Sequence, residues 1–393
     1  MFLINYIMKG LSIVMIEIID RKLCTGCTAC MNICPKGAIS FKEEKDGFKY
    51  PVIDQDKCID CGLCKKTCPV LNTKENKSIN KCYVGYNKDS NERLNASSGS
   101  IFSLIANYML DNNGIVVGAA FDENNHLNHI AIESKELLGP LRKSKYLQSD
   151  LNNIFTYIKE QIKTKKVLFV GTPCQVAGIK AFIKKNDNLI TIDLFCHGVP
   201  SPKLFEKYVK ELESINNEKL IDYDFRDNST GWDSYSNKAT FKNKEIITNR
   251  TKNEYMKLFL SDIALRESCY NCNFKLGNKY SDITLGDFWG IKNHYPEMYN
   301  KEGVSAIIIN TDIGINIFNS IKDNLEYKDC DLDKILSGNP SLKVSSKRPV
   351  EKDEFFKELD NTSISDLTNK YQKKVSLIRK IKNKIKSIIN HTN

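Results

Sequence analysis

Hydrophobic and polar positions along the centre of the chain alternate in the way that α/β domains require. GIVVGAAFD (114–122) predicts a buried strand, because it is a short apolar run bounded by turn residues. KVLFVGTPCQVAGIKAFIKK (166–185) predicts an apolar strand, a Gly-Thr-Pro turn and then a helix. LITIDLFCHGVPSPKLFEKYVKELE (189–213) repeats this plan, with Ser201 as the expected helix cap before Pro202. These two β-loop-α units predict an open α/β sheet that binds ligands at the carboxyl ends of its strands.

A different pattern precedes this sheet. GAISFKEEKDGFKYPVID (37–54) predicts two short strands joined by a hairpin turn at Asp46-Gly47. NTKENKSINK (72–81) is polar and poor in strand signals, so it predicts a linker. The chain is therefore expected to join a small N-terminal domain to a larger α/β domain.

Two matching cysteine runs flank the predicted hairpin. Each has the spacing C-x2-C-x2-C-x3-C-P, in which three thiolates wrap one face of a cubane and the fourth reaches the partner cluster. The pattern predicts two [4Fe-4S] clusters, and residues 15–72 resemble a bacterial two-cluster ferredoxin. The expected ligands of one cluster are Cys24, Cys27, Cys30 and Cys68, and those of the other are Cys58, Cys61, Cys64 and Cys34. A pair of zinc sites is the alternative, although zinc sites usually use separated C-x2-C pairs.

Four further cysteines lie in the larger domain. Cys174 and Cys196 each follow a predicted strand, and Cys269 and Cys272 form a C-x2-C pair. Together they could make one tetrathiolate site, which from spacing alone is an iron-sulfur cluster, a zinc site or a set of packed thiols. SDITLGDFWG (281–290) then predicts a strand that runs into a turn carrying Asp287.

The remaining cysteines and histidines carry weaker signals. Cys82 lies in a predicted strand and Cys330 in a charged loop, and both are expected to be structural. His197 follows Cys196 directly, so it is either a hydrogen-bonded turn residue or a proton donor.

Composition and charge narrow the class of protein. The chain has 393 residues, of which 41% are apolar and 27% charged, as in a globular protein of two or three domains. Motif spacings that suit metal ligation need reduced thiols, which indicates the cytoplasm. Residues 1–14 are expected to be a non-native extension, with translation beginning at Met15.

The net charge of +10 belongs mainly to the end of the chain. Eight lysines or arginines and no acidic residue lie from Lys370 onward, so the body is near neutral and no nucleic-acid partner is expected. Residues 370–393 also place isoleucines at helical spacing beneath this basic face. The tail therefore either binds the inner face of a membrane as a peripheral contact or docks on a protein surface.

Several separated motifs resemble one known family. They are GTPCQVAGIKAFI, CHGVPSPKLFEKY, CYNCNFK, SDITLGDFWGI and GVSAIIINT, spread between Lys81 and Thr311. They are similar to the family of beta subunits of coenzyme F420 hydrogenases and dehydrogenases, in the bacterial branch with a fused two-cluster ferredoxin domain. The resemblance implies a flavoprotein that holds FAD without a G-x-G-x-x-G motif. It also favours a third [4Fe-4S] cluster at Cys174, Cys196, Cys269 and Cys272.

The resemblance also implies flavin-contacting loops. The expected residues are Ser97, Ser98, Gly99, Ser100, Ser144, Lys145, Gln148, Gly171, Thr172, Pro173 and Gln175. Hydroxyls, close backbone amides and a lysine suit a pyrophosphate, although Ser97–Ser100 also fits a helix N-cap. The chain departs from the family pattern at Ser100 and Lys143, where glycine is usual or frequent.

The resemblance leads to a predicted organisation and function. The fold class is α+β, with a two-cluster ferredoxin fold joined to a larger α/β flavin-binding domain. The expected divisions are 15–72 for the ferredoxin domain, 81–160 and 161–325 for the two parts of the beta-subunit-like domain, 326–369 for a C-terminal extension and 370–393 for the tail.

The expected activity is an oxidoreductase that links one-electron and two-electron chemistry. A carrier such as ferredoxin, or a partner redox subunit, would exchange electrons through the clusters and FAD with a small-molecule or coenzyme F420-like acceptor, in either direction. Asp287, Lys145 and His197 are the candidate catalytic residues. The alternatives are a non-catalytic electron-transfer subunit and a zinc-stabilised interaction protein.

Overall fold

The computed structural model describes residues 18–73, 81–276 and 279–373. The predicted extension at 1–14 and nearly all of the basic tail lie outside these residues. The strands are β1 Ile39–Glu43, β2 Lys49–Ile53, β3 Lys81–Asn87, β4 Ile115–Phe121, β5 Leu127–Ile132, β6 Val167–Gly171, β7 Leu189–Leu194, β8 Leu220–Asp227, β9 Ser236–Phe241, β10 Glu245–Asn249, β11 Ile283–Asp287, β12 Ser305–Ile309 and β13 Leu325–Asp329.

The helices pack around these strands in chain order. They are α1 Ala29–Ile33, α2 Leu63–Thr67, α3 Ser90–Leu94, α4 Ile101–Asp111, α5 Ile154–Gln161, α6 Pro173–Ile183, α7 Pro202–Asn216, α8 Glu254–Leu260, α9 Ile291–His294, α10 Asp312–Ile321, α11 Leu332–Gly338, α12 Lys352–Glu358 and α13 Ile364–Tyr371. Among the described residues, no helix combines the length and the hydrophobicity needed to cross a membrane.

The N-terminal domain is a hairpin with two short helices. β1 and β2 pair antiparallel with Ile39 opposite Ile53, which confirms the predicted hairpin. Its turn contains Gly47 with a φ of +76°, a conformation that glycine adopts without strain. α1 and α2 each begin inside a cysteine run and contact each other. This contact brings the fourth cysteine of each run towards the other run.

The larger domain is built on one eight-stranded sheet with the order β13-β3-β12-β11-β7-β6-β4-β5. The strands β11, β7, β6 and β4 run parallel at its centre, and antiparallel strands lie on both sides. Strands from the two predicted parts of the domain share this sheet, which continues through β13 to Asp329. The mixed α and β architecture confirms the predicted fold class.

Helices cover both faces of the central strands. α4 and α10 pack on one face through Ile105 and Ile317, and α5 and α6 pack on the other through Phe155 and Val176. Successive residues of a strand point to opposite faces, so both faces of β4 are buried. This explains why the strand appears in the sequence as a continuous apolar run.

A smaller three-stranded sheet, in the order β10-β9-β8, packs with α7, α8, α12 and α13 around a second core. Ser201 stands at the N-cap of α7, but its side chain does not cap the helix. Its hydroxyl donates instead to the carbonyl oxygen of Asp46 at 2.5 Å. Ser201 therefore occupies the predicted N-cap position, but the capping hydrogen bond is wrong. Its side chain instead links α7 to the turn of the N-terminal hairpin.

Candidate functional site

The first group of thiols lies inside the N-terminal domain. Burial, together with the neighbouring thiols of Cys68 and Cys24, raises the pKa of Cys27 to about 12. Burial also raises the pKa of Cys30, again with contributions from the other three cysteines. The structure thus brings together Cys24, Cys27, Cys30 and Cys68, three from the first run and the last from the second.

The second group lies at the outer end of the same domain. Cys34, Cys58, Cys61 and Cys64 line one pocket that opens to solvent. Cys61 is exposed, and burial raises the pKa of Cys64 with contributions from Cys61 and Cys34. The exchange of Cys34 and Cys68 between the two runs is the arrangement that the spacing predicts.

The third group lies at the carboxyl edge of the large sheet. Cys174 follows β6 in the first turn of α6, Cys196 follows β7, and Cys269 and Cys272 come from a short 3-10 turn and the residue after it. All four line one pocket. Burial raises the pKa of Cys174, and the other three thiols add to this shift. The structure therefore brings together the four cysteines that the sequence could not assign.

Each of the three groups offers four cysteine thiols as ligands. Among the described residues, no three His, Cys, Asp or Glu side chains converge on one metal-ion position. A four-iron cluster does not need such convergence, because each cysteine binds a different iron atom. The ligands present in each group are four thiols, the donor set of a [4Fe-4S] cluster, so these residues fit such clusters.

The first and third groups are neighbours. Thr25, between two cysteines of the first group, also lines the pocket of the third group. Gly178 of α6 lies so close to Cys27 that a Cβ atom at this glycine would be 2.9 Å from the Cβ of Cys27. The same helix carries Cys174 at its start. α6 therefore contacts both groups.

The predicted flavin residues at 171–175 lie beside the third group. Thr172 and Gln175 form a capping box at the start of α6, with the Thr172 N–H donating to the Gln175 Oε1 at 2.9 Å. The Thr172 hydroxyl also lies 3.2 Å from the Cys174 Sγ. Gly171 ends β6 and Pro173 is the first residue of α6. The side chains of Thr172 and Gln175 thus bond within the protein.

Gln148 occupies a different place from the other predicted flavin residues. Its amide donates to the carbonyl oxygen of Thr25 at 3.1 Å and accepts from the Arg266 guanidinium at 3.0 Å. The structure therefore places Gln148 at the contact between the two domains.

Two of the predicted flavin loops meet directly. The Ser144 N–H donates to the Ser97 hydroxyl at 2.8 Å. Ser98 donates to the carbonyl oxygen of Val304 at 2.9 Å. Ser97, Ser98 and Ser144 therefore lie at one junction.

Gly99 and Ser100 complete this junction. The Gly99 N–H donates to the Ser305 hydroxyl at 3.0 Å, and a Cβ atom at Gly99 would lie 2.6 Å from the carbonyl oxygen of Gly85. Ser100 is the N-cap of α4 by position, with a φ of +62°, but its side chain makes no capping bond. Its hydroxyl is buried without a hydrogen-bond partner among the described residues.

Asp287 is held by a buried ion pair. The Arg226 guanidinium donates to both carboxylate oxygens, at 2.7 and 3.1 Å, and the Trp232 indole N–H donates at 2.7 Å. Arg226 also donates to the carbonyl oxygen of Ser97 at 2.7 Å. Although burial opposes the charged form, Asp287 holds the pKa of Arg226 well above its usual value. Asp287 is thereby connected to the serine loop.

Aromatic rings surround this ion pair. Trp232 and Trp289, the two tryptophans of the chain, stack with their centroids 4.9 Å apart. The Arg226 guanidinium lies 4.0 Å from the centroid of Tyr235. Sequence reasoning missed Arg226, Trp232 and Tyr235 as site residues. The tryptophan of the DFWG motif, Trp289, was the one available signal for the stack.

Lys145 and His197 lie in different places. Lys145 donates to the carbonyl oxygens of Pro140 and Arg142 at 2.6 Å, beside the Ser97 junction. Burial lowers the pKa of Lys145 to about 7. His197 lines the pocket of the third thiol group, and its Nε2 lies 2.5 Å from the Asp262 Oδ1. Of the three candidate catalytic residues, Lys145 and Asp287 lie near the serine loops and His197 near the cysteines.

Cys82 and Cys330 lie opposite each other at the edge of the sheet. The Cys330 N–H donates to the carbonyl oxygen of Cys82 at 3.0 Å, which continues the pairing of β13 with β3. Both side chains pack against an apolar cluster. They lie apart from the three thiol groups, and their structural role stays a prediction.

Two family models match the chain. The model of the C terminus of the coenzyme F420 hydrogenase/dehydrogenase beta subunit matches residues 164–334, and the 4Fe-4S dicluster domain matches residues 23–72. Residues 164–334 thus match the C-terminal domain of these beta subunits, and residues 23–72 match an iron-sulfur domain, which is the combination that the motifs predict.

Two curated proteins are similar to this chain. The F subunit of the F(420)H(2) dehydrogenase of Methanosarcina mazei is 22% identical over 333 residues, which cover 79% of this chain and 85% of that protein. The coenzyme F420-dependent sulfite reductase of Methanocaldococcus jannaschii is 28% identical over 170 residues, 42% of this chain. The match spans only 26% of the reductase's length.

Among solved structures, the F420-reducing [NiFe] hydrogenase complex from Methanosarcina barkeri contains a similar chain. The match has a TM-score of 0.45 and 16% sequence identity, and it covers 75% of this chain and 91% of the other.

Asp287→Asn should destabilise the protein markedly. The substitution leaves the buried Arg226 guanidinium without its countercharge, which costs roughly 3–5 kcal/mol in comparable buried pairs. Thermal unfolding of the anaerobic protein measures the effect. Asp233→Asn is the control, because Asp233 makes a largely exposed ion pair with Lys292 that should contribute under about 1 kcal/mol. Equal losses of stability in the two variants would contradict the assigned role of the ion pair.

Proposed function

We propose that the chain is an iron-sulfur flavoprotein oxidoreductase that exchanges electrons between a one-electron carrier and a two-electron acceptor. The observation that carries this proposal is the continuity of the thiol groups. They run from the exposed Cys61, through the buried first group, to the third group at the sheet edge. When bound, the clusters would supply one-electron transfer along this line.

The serine junction supports the flavin part of the proposal. The Ser100 hydroxyl and the Arg226 Nε are buried without hydrogen-bond partners among the described residues, so each could bond a ligand. Ser97 and Ser144 meet at the same place, and Lys145 lies beside them. These groups fit a flavin with an anionic pyrophosphate, which would supply the link between single electrons and electron pairs.

The protein's own residues would position the reacting groups. Arg226 and Asp287 would hold the serine loop in place, because the guanidinium bonds to both the loop carbonyl of Ser97 and the carboxylate. The stacked Trp232 and Trp289 would exclude water from this ion pair. Lys145, with its pKa near 7, could hold or release a proton near neutral pH.

The outer face of the N-terminal domain is where a carrier would bind. Ile59 and Leu63 are exposed beside the second thiol group, at 57% and 37% of their full accessibility. Apolar side chains around an exposed redox centre suit a transient contact with ferredoxin or with a partner redox subunit. The Methanosarcina mazei relative is named a subunit, which supports the second of these partners.

The acceptor is proposed to be coenzyme F420 or a small molecule of similar redox chemistry. Both curated relatives carry F420 in their names, which supports this class of substrate. A non-catalytic subunit that feeds electrons to a partner enzyme is the alternative, since it needs the thiol groups but no flavin.

A cofactor inventory tests the proposal directly. The purified anaerobic chain should hold about twelve iron atoms, no zinc and one FAD, counting four irons per cluster. Cys174→Ser should lower the iron content to about eight, because it removes a ligand of the third group only. Cys330→Ser is the matched control and should retain about twelve. About eight irons with zinc in the parental chain would contradict the third cluster, and full iron without flavin would favour the electron-transfer subunit.

The pH dependence of FAD affinity tests Lys145. The lysine is protonated below its pKa of about 7 and loses its charge as the pH rises through this value. FAD should therefore bind more weakly above pH 7, because the pyrophosphate loses a positive partner. Lys145→Arg keeps its charge and should give a nearly flat profile, whereas Lys145→Met should bind weakly throughout. Fluorescence titration of the flavin-free protein measures the affinity, and a flat parental profile would refute the assignment.

A further inference from the structure

Arg266 is a buried arginine that lies against the first thiol group. Its side chain is among the largest that are fully buried. The Nε donates to the carbonyl oxygen of Cys24 at 2.7 Å, and an Nη2 hydrogen points to the Cys24 Sγ at 3.7 Å. The Nη2 also donates to the carbonyl oxygen of Lys49, and the Nη1 donates to the Gln148 Oε1, both at 3.0 Å.

Among the described residues, the surroundings of Arg266 contain aromatic rings but no carboxylate partner. Its guanidinium carbon lies 4.3 Å from the centroid of Tyr50 and 5.3 Å from that of Phe48. Across the part of the chain that the structure describes, Arg266 makes no ion pair, in contrast to the buried Arg226 and Arg93. An arginine stays charged, and a buried charge without a partner is costly.

The cysteines beside Arg266 can supply the missing negative charge. Cluster ligation requires thiolates rather than thiols, so a loaded first group would carry net negative charge next to the guanidinium. Reduction by one electron makes this charge more negative. A fixed positive neighbour therefore stabilises the reduced form more than the oxidised form.

We propose that Arg266 is the countercharge of the first cluster and raises its reduction potential. This inference rests on the proposed assignment of Cys24, Cys27, Cys30 and Cys68 to one cluster. Arg266 would make the first cluster a better electron acceptor from the exposed second cluster. It acts as a positioning and tuning residue, since it contacts the ligand Cys24 and not the reacting substrate.

Arg266 also connects this cluster to the third thiol group. Its N–H donates to the carbonyl oxygen of Val199, and its carbonyl oxygen accepts from the Cys269 N–H, both at 2.9 Å. The residue is therefore anchored in the loop that carries Cys269 while its side chain reaches the other domain. A change in the relative position of the two domains would move the guanidinium with respect to Cys24.

The test is an anaerobic redox titration of the full reconstituted chain, followed by electron paramagnetic resonance. In Arg266→Gln the equilibrium constant for the reduction of one cluster should fall about tenfold. For a one-electron couple this is a shift of its midpoint potential by about 59 mV to more negative values. The signal of the exposed second cluster should not move. Arg266→Lys, which keeps the charge, should stay close to the parental potential.

Arg93→Gln is the matched control, because Arg93 is also buried but pairs with Glu302 and contacts no cysteine among the described residues. It should leave every signal unchanged. The shifted signal should be the one lost in Cys30→Ser, which removes a ligand of the first group.

Each outcome decides the inference. The inference is overturned if Arg266→Gln keeps both the full iron content and the parental potential. It is also overturned if Arg266→Lys shifts the potential as far as Arg266→Gln does. If Arg266→Gln loses four irons, Arg266→Lys decides: full iron with the parental potential supports the countercharge, and equal loss refutes it. If flavin or the third cluster were absent, the proposed function would be refuted. The titration would still test this inference, because it measures the potential of a cluster in the N-terminal domain.

Discussion

The packing of Cys27 against Gly178 is the contact that holds the first and third thiol groups next to each other. A helix with any larger residue at this position could not approach the cysteine loop so closely, because a Cβ atom there already falls within 3 Å. The same helix begins with the capping box of Thr172 and Gln175, which orients Cys174. One rigid element, α6, thus fixes the first thiol group against the third. Its position follows from the parallel pairing of β6 and β7, which places the helix N-terminus at the carboxyl edge of the sheet.

Two fully buried arginines differ in how their charge is balanced, Arg226 beside the serine loops and Arg266 at the contact between the two domains. Arg226 has Asp287 as a partner, and the pair is enclosed by aromatic rings that keep the local dielectric low. Arg266 has neutral acceptors and a thiol ligand instead. Interiors tolerate such groups only when something balances them. The difference between these two arginines is therefore informative: one is balanced within the polypeptide, and the other points to a charge that cysteine ligation would bring.

The parts of this structure that sequence could predict are those encoded over short distances. The eight N-terminal cysteines, the hairpin at Asp46-Gly47 and the β-loop-α units all follow from local spacing and periodicity. The proximity of Cys174 and Cys196 was accessible as well, because parallel strands present their ends at one edge, whereas Cys269 and Cys272 come from a 3-10 turn whose position no strand pattern predicts. The hydrogen bonds of Gln148 and Ser201 could not be predicted, since their partners lie 123 and 155 residues away in sequence. Such long-range hydrogen bonds leave no periodic pattern to detect.

The exposure of the thiol groups favours the proposed electron-transfer chain over three independent structural sites. Cys61 is open to solvent, whereas Cys27 and Cys30 are buried. A purely structural site would gain nothing from an exposed ligand or from Thr25 lining the next pocket. A chain of electron carriers needs an exposed first member that can meet a partner. Its later members must lie close together and be shielded from solvent. The order of the cysteine runs along the chain and the position of α6 together produce this change from the exposed second group to the buried first group. In the proposed function, the buried serine and arginine groups beside the sheet would be the place where this chain of carriers ends.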